Sequence, residues 1–436
     1  MTGNGSSNGS DQRISLAGSV ALGTGVMIGA GIFALVGQVA GLAGAWFPVS
    51  FAAGAAVVAV SAYAYARYSS ANPSSGGIAM LLKDAYGPGV AAGTFSLFMY
   101  VSMVVAESLL ARTFGTYLLT PFGLQDSVVL VPLLGIVAIV LATVANLVGN
   151  HLVEGSALAT AIIKIVGIAL LAIAGLVAAA LSGDGMLSDV GGGSPPVLGL
   201  LASVALCVIA YKGFTTITNQ GDDIRDPERN LPRSIGIAIA LCAVLYLLIA
   251  VSVDTSIGAD GAADTRDYAL AQAAEPLFGG WGVGITVAVA VVATLSGLLA
   301  SLYSVSRLYA MLQEMGQAPT LSVRMSRQPL LITAGAAIIV TAALDLTQIA
   351  SMGVFLYLSM DVAVQWGVLR RLRSKLNARR WPLVLTILLD LAILIPFTIV
   401  KIRDDLLTVI VAAAVAAAIL VAQVVTVRLR DKSAPG

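Results

Sequence analysis

Apolar stretches of about 20 residues, the length a helix needs to cross a bilayer, recur along this chain and constrain it more than any other feature. They lie at residues 14–40, 45–67, 89–119, 128–147, 152–181, 197–220, 232–253, 281–312, 330–344, 348–369, 382–400 and 406–427, twelve in all. The ninth is at the short limit of a span. Composition agrees, with 58% of the 436 residues hydrophobic, only 11% charged, and a mean hydropathy of +0.93. Soluble proteins are nearer 45–50% apolar and about 25% charged, so the solvent expected for this chain is lipid. The expected fold is all-α, a polytopic membrane protein with twelve transmembrane helices.

The net charge of +1 gives no pointer to a nucleic-acid partner. Cys207 and Cys242 both sit in apolar runs, which argues against a disulfide framework, and a single histidine, His151, argues against a His-rich metal site or a haem. No metal and no cofactor are expected. Residues 1–12 are rich in Gly, Ser and Asn and lack the basic start and short apolar core of a cleavable signal, so they read as a disordered tail.

Most of the 24 Lys and Arg residues fall on one side of the alternating loops, in groups such as Arg225, Arg229 and Arg233, Arg370 to Arg380, and Arg428 to Lys432. The other side holds Arg112, Arg266, Lys401 and Arg403. The positive-inside rule then places both termini in the cytoplasm of a cell-membrane protein, consistent with an even span count. The Arg370–Arg380 group reads as an anchor able to touch anionic lipid. Between spans 2 and 3, Asn72-Pro73-Ser74-Ser75-Gly76-Gly77 and the stretch up to Gly87-Pro88 read as a re-entrant or interfacial segment. Residues 268–277 read as a short amphipathic helix in an external loop.

Span 1 contains Gly23, Gly25, Gly29 and Gly31 within nine residues. Glycine costs about 1 kcal/mol relative to Ala in a helix interior. One reading is close helix packing, since Gly25 and Gly29 have GxxxG spacing. The other is a built-in break, and span 6 supports it, with Tyr211-Lys212-Gly213-Phe214-Thr215-Thr216 at mid-membrane. Interrupted helices at matching places in two halves point to a transporter's central site. The backbone N–H groups so freed suit a carboxylate and the C=O groups an ammonium, and a zwitterionic amino acid carries both.

These motifs resemble, in order and over most of the chain, the amino acid–polyamine–organocation superfamily. Gly25 to Phe33 resembles its Gly-rich break, and Pro73 to Gly77 with Tyr86-Gly87-Pro88 its following segment. Asp222-Asp223-Ile224-Arg225-Asp226-Pro227-Glu228-Arg229-Asn230-Leu231-Pro232-Arg233 resembles the signature after helix 6, with aspartates where glutamates are usual. Ser306 to Met311 with Gly316 and Pro319 resembles the end of helix 8. The resemblance implies a LeuT-type five-plus-five inverted repeat with discontinuous helices 1 and 6. The first repeat would span residues 13–181 and the second 195–369, followed by two further helices over 380–428 and a cytoplasmic tail over 429–436. It also implies that the backbone of Gly29, Ala30 and Gly31 holds the substrate carboxylate. Carbonyls near Met27, Ile28, Cys207 and Ala210 would hold the amino group, beside Gly213, with Tyr211 or Phe214 as an aromatic gate. Lys212 is a charge beside that expected site.

Charges inside spans cost about 2.5–3.5 kcal/mol on insertion scales and are functional hypotheses by default. Lys164 lies about 18 Å along span 5 and resembles the helix 5 lysine of the superfamily's proton-coupled members. An amine there can load and release a proton as its access to water alternates, and when charged it mimics a sodium ion. The plainer readings are an ion pair with Glu107 on span 3, or snorkelling, which is hard from mid-helix. Glu107 could equally be a proton site or contact the substrate's ammonium. Asp361 and Asp390 read as helix–helix hydrogen-bonding groups. Three functions follow: proton-driven symport of an amino acid by alternating access, exchange of amino acids or polyamines, and non-transporting sensing or assembly. No nucleophile–base pair or phosphate loop supports an enzyme.

Overall fold

A computed structural model describes residues 13–74, 77–148, 150–182, 196–319 and 327–433. The expected tail 1–12 and residues Ser75, Gly76 and Arg324 lie outside them. The first apolar run folds as α1 (Leu16–Met27), a π-helical turn (Ile28–Ile32) and α2 (Phe33–Ala43). Gly44, at φ +56, turns the chain through a short 3₁₀ stretch into α3 (Phe47–Ala71). The segment after Pro73 contains a ten-residue helix, α4 (Gly77–Tyr86). Then follow α5 (Val90–Leu119), α6 (Leu130–Val148), α7 (Asn150–Ser182) and α8 (Val197–Tyr211). After α8 come a 3₁₀ turn (Lys212–Phe214) and α9 (Thr215–Thr218). The remainder is α10 (Pro227–Asp264), α11 (Ala269–Phe278), α12 (Gly280–Glu314), α13 (Gln328–Ala343), α14 (Leu346–Gly367), α15 (Arg380–Asp404) and α16 (Leu406–Ser433).

Ten of these helical runs are long and apolar enough to cross a membrane, and α1 and α13 are shorter apolar helices. Among the described residues the one β feature is a bridge between Ile14 and Ile224. The chain is therefore an all-helical, multi-pass membrane protein. Its outward faces carry Leu133, Leu141, Ile163, Leu170, Ile395, Leu407 and Val421, a surface that water would not tolerate and acyl chains would. Interior hydroxyls such as Thr24, Thr113, Thr294 and Thr386 are satisfied by bonding to the carbonyl four residues back. The α5, α8 and α14 helices are the most buried and α16 the least, so the centre of the molecule is set by α1, α5, α8 and α14.

Two expectations are corrected. The interruptions occur where glycine spacing places them, but neither is an unwound strand. The residues flanking them, Met27, Phe33, Tyr211 and Thr215, keep helical backbone angles. The chain instead changes helix type there, which shifts the register of its backbone hydrogen bonds. Span 7, expected to end at residue 253, continues as α10 to Asp264 through a kink at Gly258 (φ 69, ψ 174). Its polarity ended the expected span about one turn before the backbone breaks, at Gly258, and a second helical stretch follows that break.

Candidate functional site

The two turns meet at the centre of the molecule. A Cβ at Gly213 would stand 2.7 Å from both the backbone nitrogen and the Cγ of Met27. One at Gly31 would stand 2.7 Å from the Ala210 carbonyl oxygen, and one at Gly29 would stand 2.8 Å from that of Ala293 on α12. The glycines thus let backbones touch, as the packing reading expected, and they do so at the helix-type changes that the other reading singled out. Met27, Ile28 and Gly29 are buried here, and the Ala210 carbonyl accepts a bond from the Tyr246 hydroxyl of α10 at 3.4 Å. Cys207 faces Gly54 on α3.

Tyr211 and Phe214 point toward α3. The Tyr211 hydroxyl donates to the Phe51 carbonyl at 3.1 Å and its ring lies 4.9 Å from that of Tyr246. Phe214 packs edge-on against Tyr65 at 5.5 Å. Neither lines the small central cavity, about 20 Å³, room for roughly one water. That cavity is bounded by Val26, Met103, Ala210, Lys212, Thr216 and Ser301, among others.

Among the described residues the buried charges form no ion pairs with one another. Lys164 on α7 donates to the Gly25 carbonyl at 3.2 Å, three residues before the π turn. Glu107 accepts from the Ser301 hydroxyl at 3.3 Å, and its second oxygen has no hydrogen-bond partner. No ion pair joins Lys164 to Glu107 among the described residues, which overturns the ion-pair reading of that lysine. Arg112 bonds instead to the Thr341 carbonyl. Lys212 reaches the Ser102 carbonyl of α5 at 2.5 Å and lies over the Tyr357 ring at 5.4 Å. Asp361 accepts from Ser61, Tyr65 and Gln365 at 2.5, 2.8 and 3.0 Å, a helix–helix anchor as expected. Asp390, fully buried, has neither oxygen paired.

Both ends of the bundle are polar. At one, Ile14 exchanges backbone bonds with Asp223 and Arg225 at 2.8 and 2.9 Å, tying the start of α1 to the loop before α10. Arg307 of α12 closes the same end through Asp223 and, at 3.5 Å, Asp222. At the other end an open cavity of about 460 Å³ is lined by residues that include Gln38, Arg266, Asp345, Lys401 and Asp404. Asp267 stands in the turn before α11. Burial, with the Asp345 carboxylate adding to it, pushes its acid up to about 6 against the pull of Gln38 and Arg266.

A raised acid binds protons more readily in the folded than in the unfolded chain. Stability therefore falls as pH rises from its ordinary value near 3.8 through about 6. Asp267→Asn should flatten the pH 5 to pH 7 dependence of thermal unfolding by up to about 1 kcal/mol. An unchanged profile in detergent-purified variant would contradict this placement.

Sequence reasoning passed over Ser102, Ser301 and Tyr357, because hydroxyls in apolar helices are common and carry no spacing signal. It also passed over the 460 Å³ cavity, whose residues come together only through the fold.

A bundle of apolar helices crossed at its centre by two helix-type changes and isolated buried charges has the build of a transporter. The sequence matches the family described as amino acid permease over residues 14–429, and the chain belongs to that family. It is 32% identical over 398 residues to the inner membrane transport protein YbaT of Escherichia coli, covering 89% of this chain and 90% of that one. It is 30% identical to an uncharacterized transporter of Mycobacterium tuberculosis, over 68% of this chain and 64% of the other. It is also 29% identical to the vacuolar cationic amino acid transporter 4 of Arabidopsis thaliana, over 55% of this chain and 42% of that protein. The chain is thus a membrane transporter of the amino acid permease family, not an enzyme.

Proposed function

We propose that this permease imports amino acids by proton-coupled alternating access, with Lys164 as the proton carrier. The observation that carries the reading is the bond from the Lys164 ammonium to the Gly25 carbonyl. It links the one charged side chain of mid-α7 directly to the helix whose π turn begins at Ile28. A change of charge on Lys164 alters its hold on α1, and α1 contacts α8 and the turn at Lys212 through Gly213 and Gly31. Proton occupancy and the geometry of the centre are thereby mechanically joined.

In this reading the chain has twelve spans, with α1 to α2 as the first and α13 as the short ninth, folded as two inverted five-helix repeats. Both termini are cytoplasmic, so the Arg307–Asp223 contact closes the inner end and the 460 Å³ cavity is the outer vestibule. The substrate binds between the two turns, its carboxylate toward the backbone of Gly29 to Gly31 and its ammonium toward carbonyls of Met27, Ile28, Cys207 and Ala210. Tyr211 and Phe214 swing toward it when the site opens. Glu107, held by Ser301, is the second proton-bearing group.

The test is uptake of a panel of radiolabelled amino acids into proteoliposomes under an imposed pH gradient or an imposed sodium gradient. Accumulation driven by the pH gradient alone is expected. Accumulation driven only by sodium would remove proton coupling, and uptake only into amino-acid-loaded vesicles would replace symport by exchange.

A further inference from the structure

Lys212 is the charge that neither the packing nor the coupling role of Lys164 uses. It is 4% exposed and belongs to the 3₁₀ turn that follows α8. An ammonium has three donors. One goes to the Ser102 carbonyl, and the Tyr357 ring offers its face at 5.4 Å. No carboxylate lies within ion-pair distance among the described residues, and Glu107 is engaged instead by Ser301 on α12. Beyond that dipole and ring face, the charge feels only the carboxyl of Glu107, which stands outside ion-pair distance, an expensive arrangement for a buried ion unless a partner arrives. Lys212 also lines the central cavity, whose wall contains a second unsatisfied group, the fully buried Thr216 hydroxyl.

We propose that Lys212 reads the substrate's side chain and makes this permease selective for acidic amino acids. The proposal rests on the transport reading above and specifies its substrate class. With the substrate's α-carboxylate and α-ammonium held by backbone at the two turns, the third substituent projects toward the space between α5, α8 and α12. There the lysine waits with an unfilled donor, and the Thr216 hydroxyl adds another. A side-chain carboxylate completes the lysine's coordination and neutralises it. A cationic side chain meets the Lys212 ammonium in a low-dielectric wall, so this chain differs from its relative named for cationic substrates.

The test uses the full-length protein in proteoliposomes and whichever labelled amino acid it takes up. Unlabelled aspartate, glutamate, alanine, glutamine, lysine and arginine are then compared as competitors. Aspartate or glutamate should compete best and lysine and arginine worst. Lys212→Gln should weaken the acidic competitor by ~10- to 100-fold, the range of one lost charged hydrogen bond, and alanine far less. Lys212→Arg should retain the acidic preference. Lysine or arginine as the best wild-type competitor would overturn the proposal, whether or not the variants fold. So would an acidic-to-neutral ratio unchanged in folded Lys212→Gln. Either result leaves the transport reading standing, whereas uptake of no amino acid at all would bring down both.

Discussion

Replacing Lys164 with Ala is expected to abolish accumulation driven by a pH gradient while leaving exchange of the same amino acid across the membrane intact. With one proton carried per substrate, each pH unit of gradient supports about ten-fold accumulation, roughly 1.4 kcal/mol, and the variant should accumulate none. The reason is local. Lys164 is 1% exposed and its ammonium ends on the carbonyl of Gly25, with no ion-pairing carboxylate among the described residues. Loss of the side chain removes a group that can change charge between the two faces, but leaves the glycine contacts between α1 and α8 in place. A variant that still concentrates substrate with the gradient would show that the proton travels elsewhere, with Glu107 as the next residue to replace.

The second large effect is expected at Gly213. Leucine there would place its Cβ 2.7 Å from a backbone nitrogen of the π-turned helix, which cannot move as a side-chain tip can. Overpacking of this kind costs about 1–3 kcal/mol, and the strain falls where the two helix-type changes touch. Thermal unfolding in detergent should shift downward by several degrees, of the order such energies produce, and uptake should be lost. Gly236 on α10 provides the control, because a Cβ there meets nothing within 4 Å. Gly236→Leu should be silent in both assays. Equal tolerance at the two positions would mean that the close crossing of α1 and the turn after α8 is not essential.

These expectations show where the sequence is informative. Long apolar runs identify the helices because lipid leaves the backbone few other options, and the short ninth run appears as the 16-residue α13. Glycine spacing located both interruptions, since only glycine permits such backbone approach. It could not foretell whether the chain would unwind or change helix type, because that depends on what the neighbours, Ala293 and Ala210, present to it. Charges in spans were legible as anomalies. Their partners were not: Lys164 meets a carbonyl 139 residues away and Glu107 a serine 194 residues away. Polarity ended span 7 about one turn early, where Asp254 and the residues up to the break at Gly258 continue the helix despite their character.

The central claim, that amino acid and proton move together through this permease, is tested most directly by following the pH inside proteoliposomes. An external amino acid that the protein transports is added with no gradient imposed. The account predicts acidification of the lumen that depends on the amino acid and is absent in Lys164→Ala. Entry of labelled amino acid with no change in lumenal pH would contradict it.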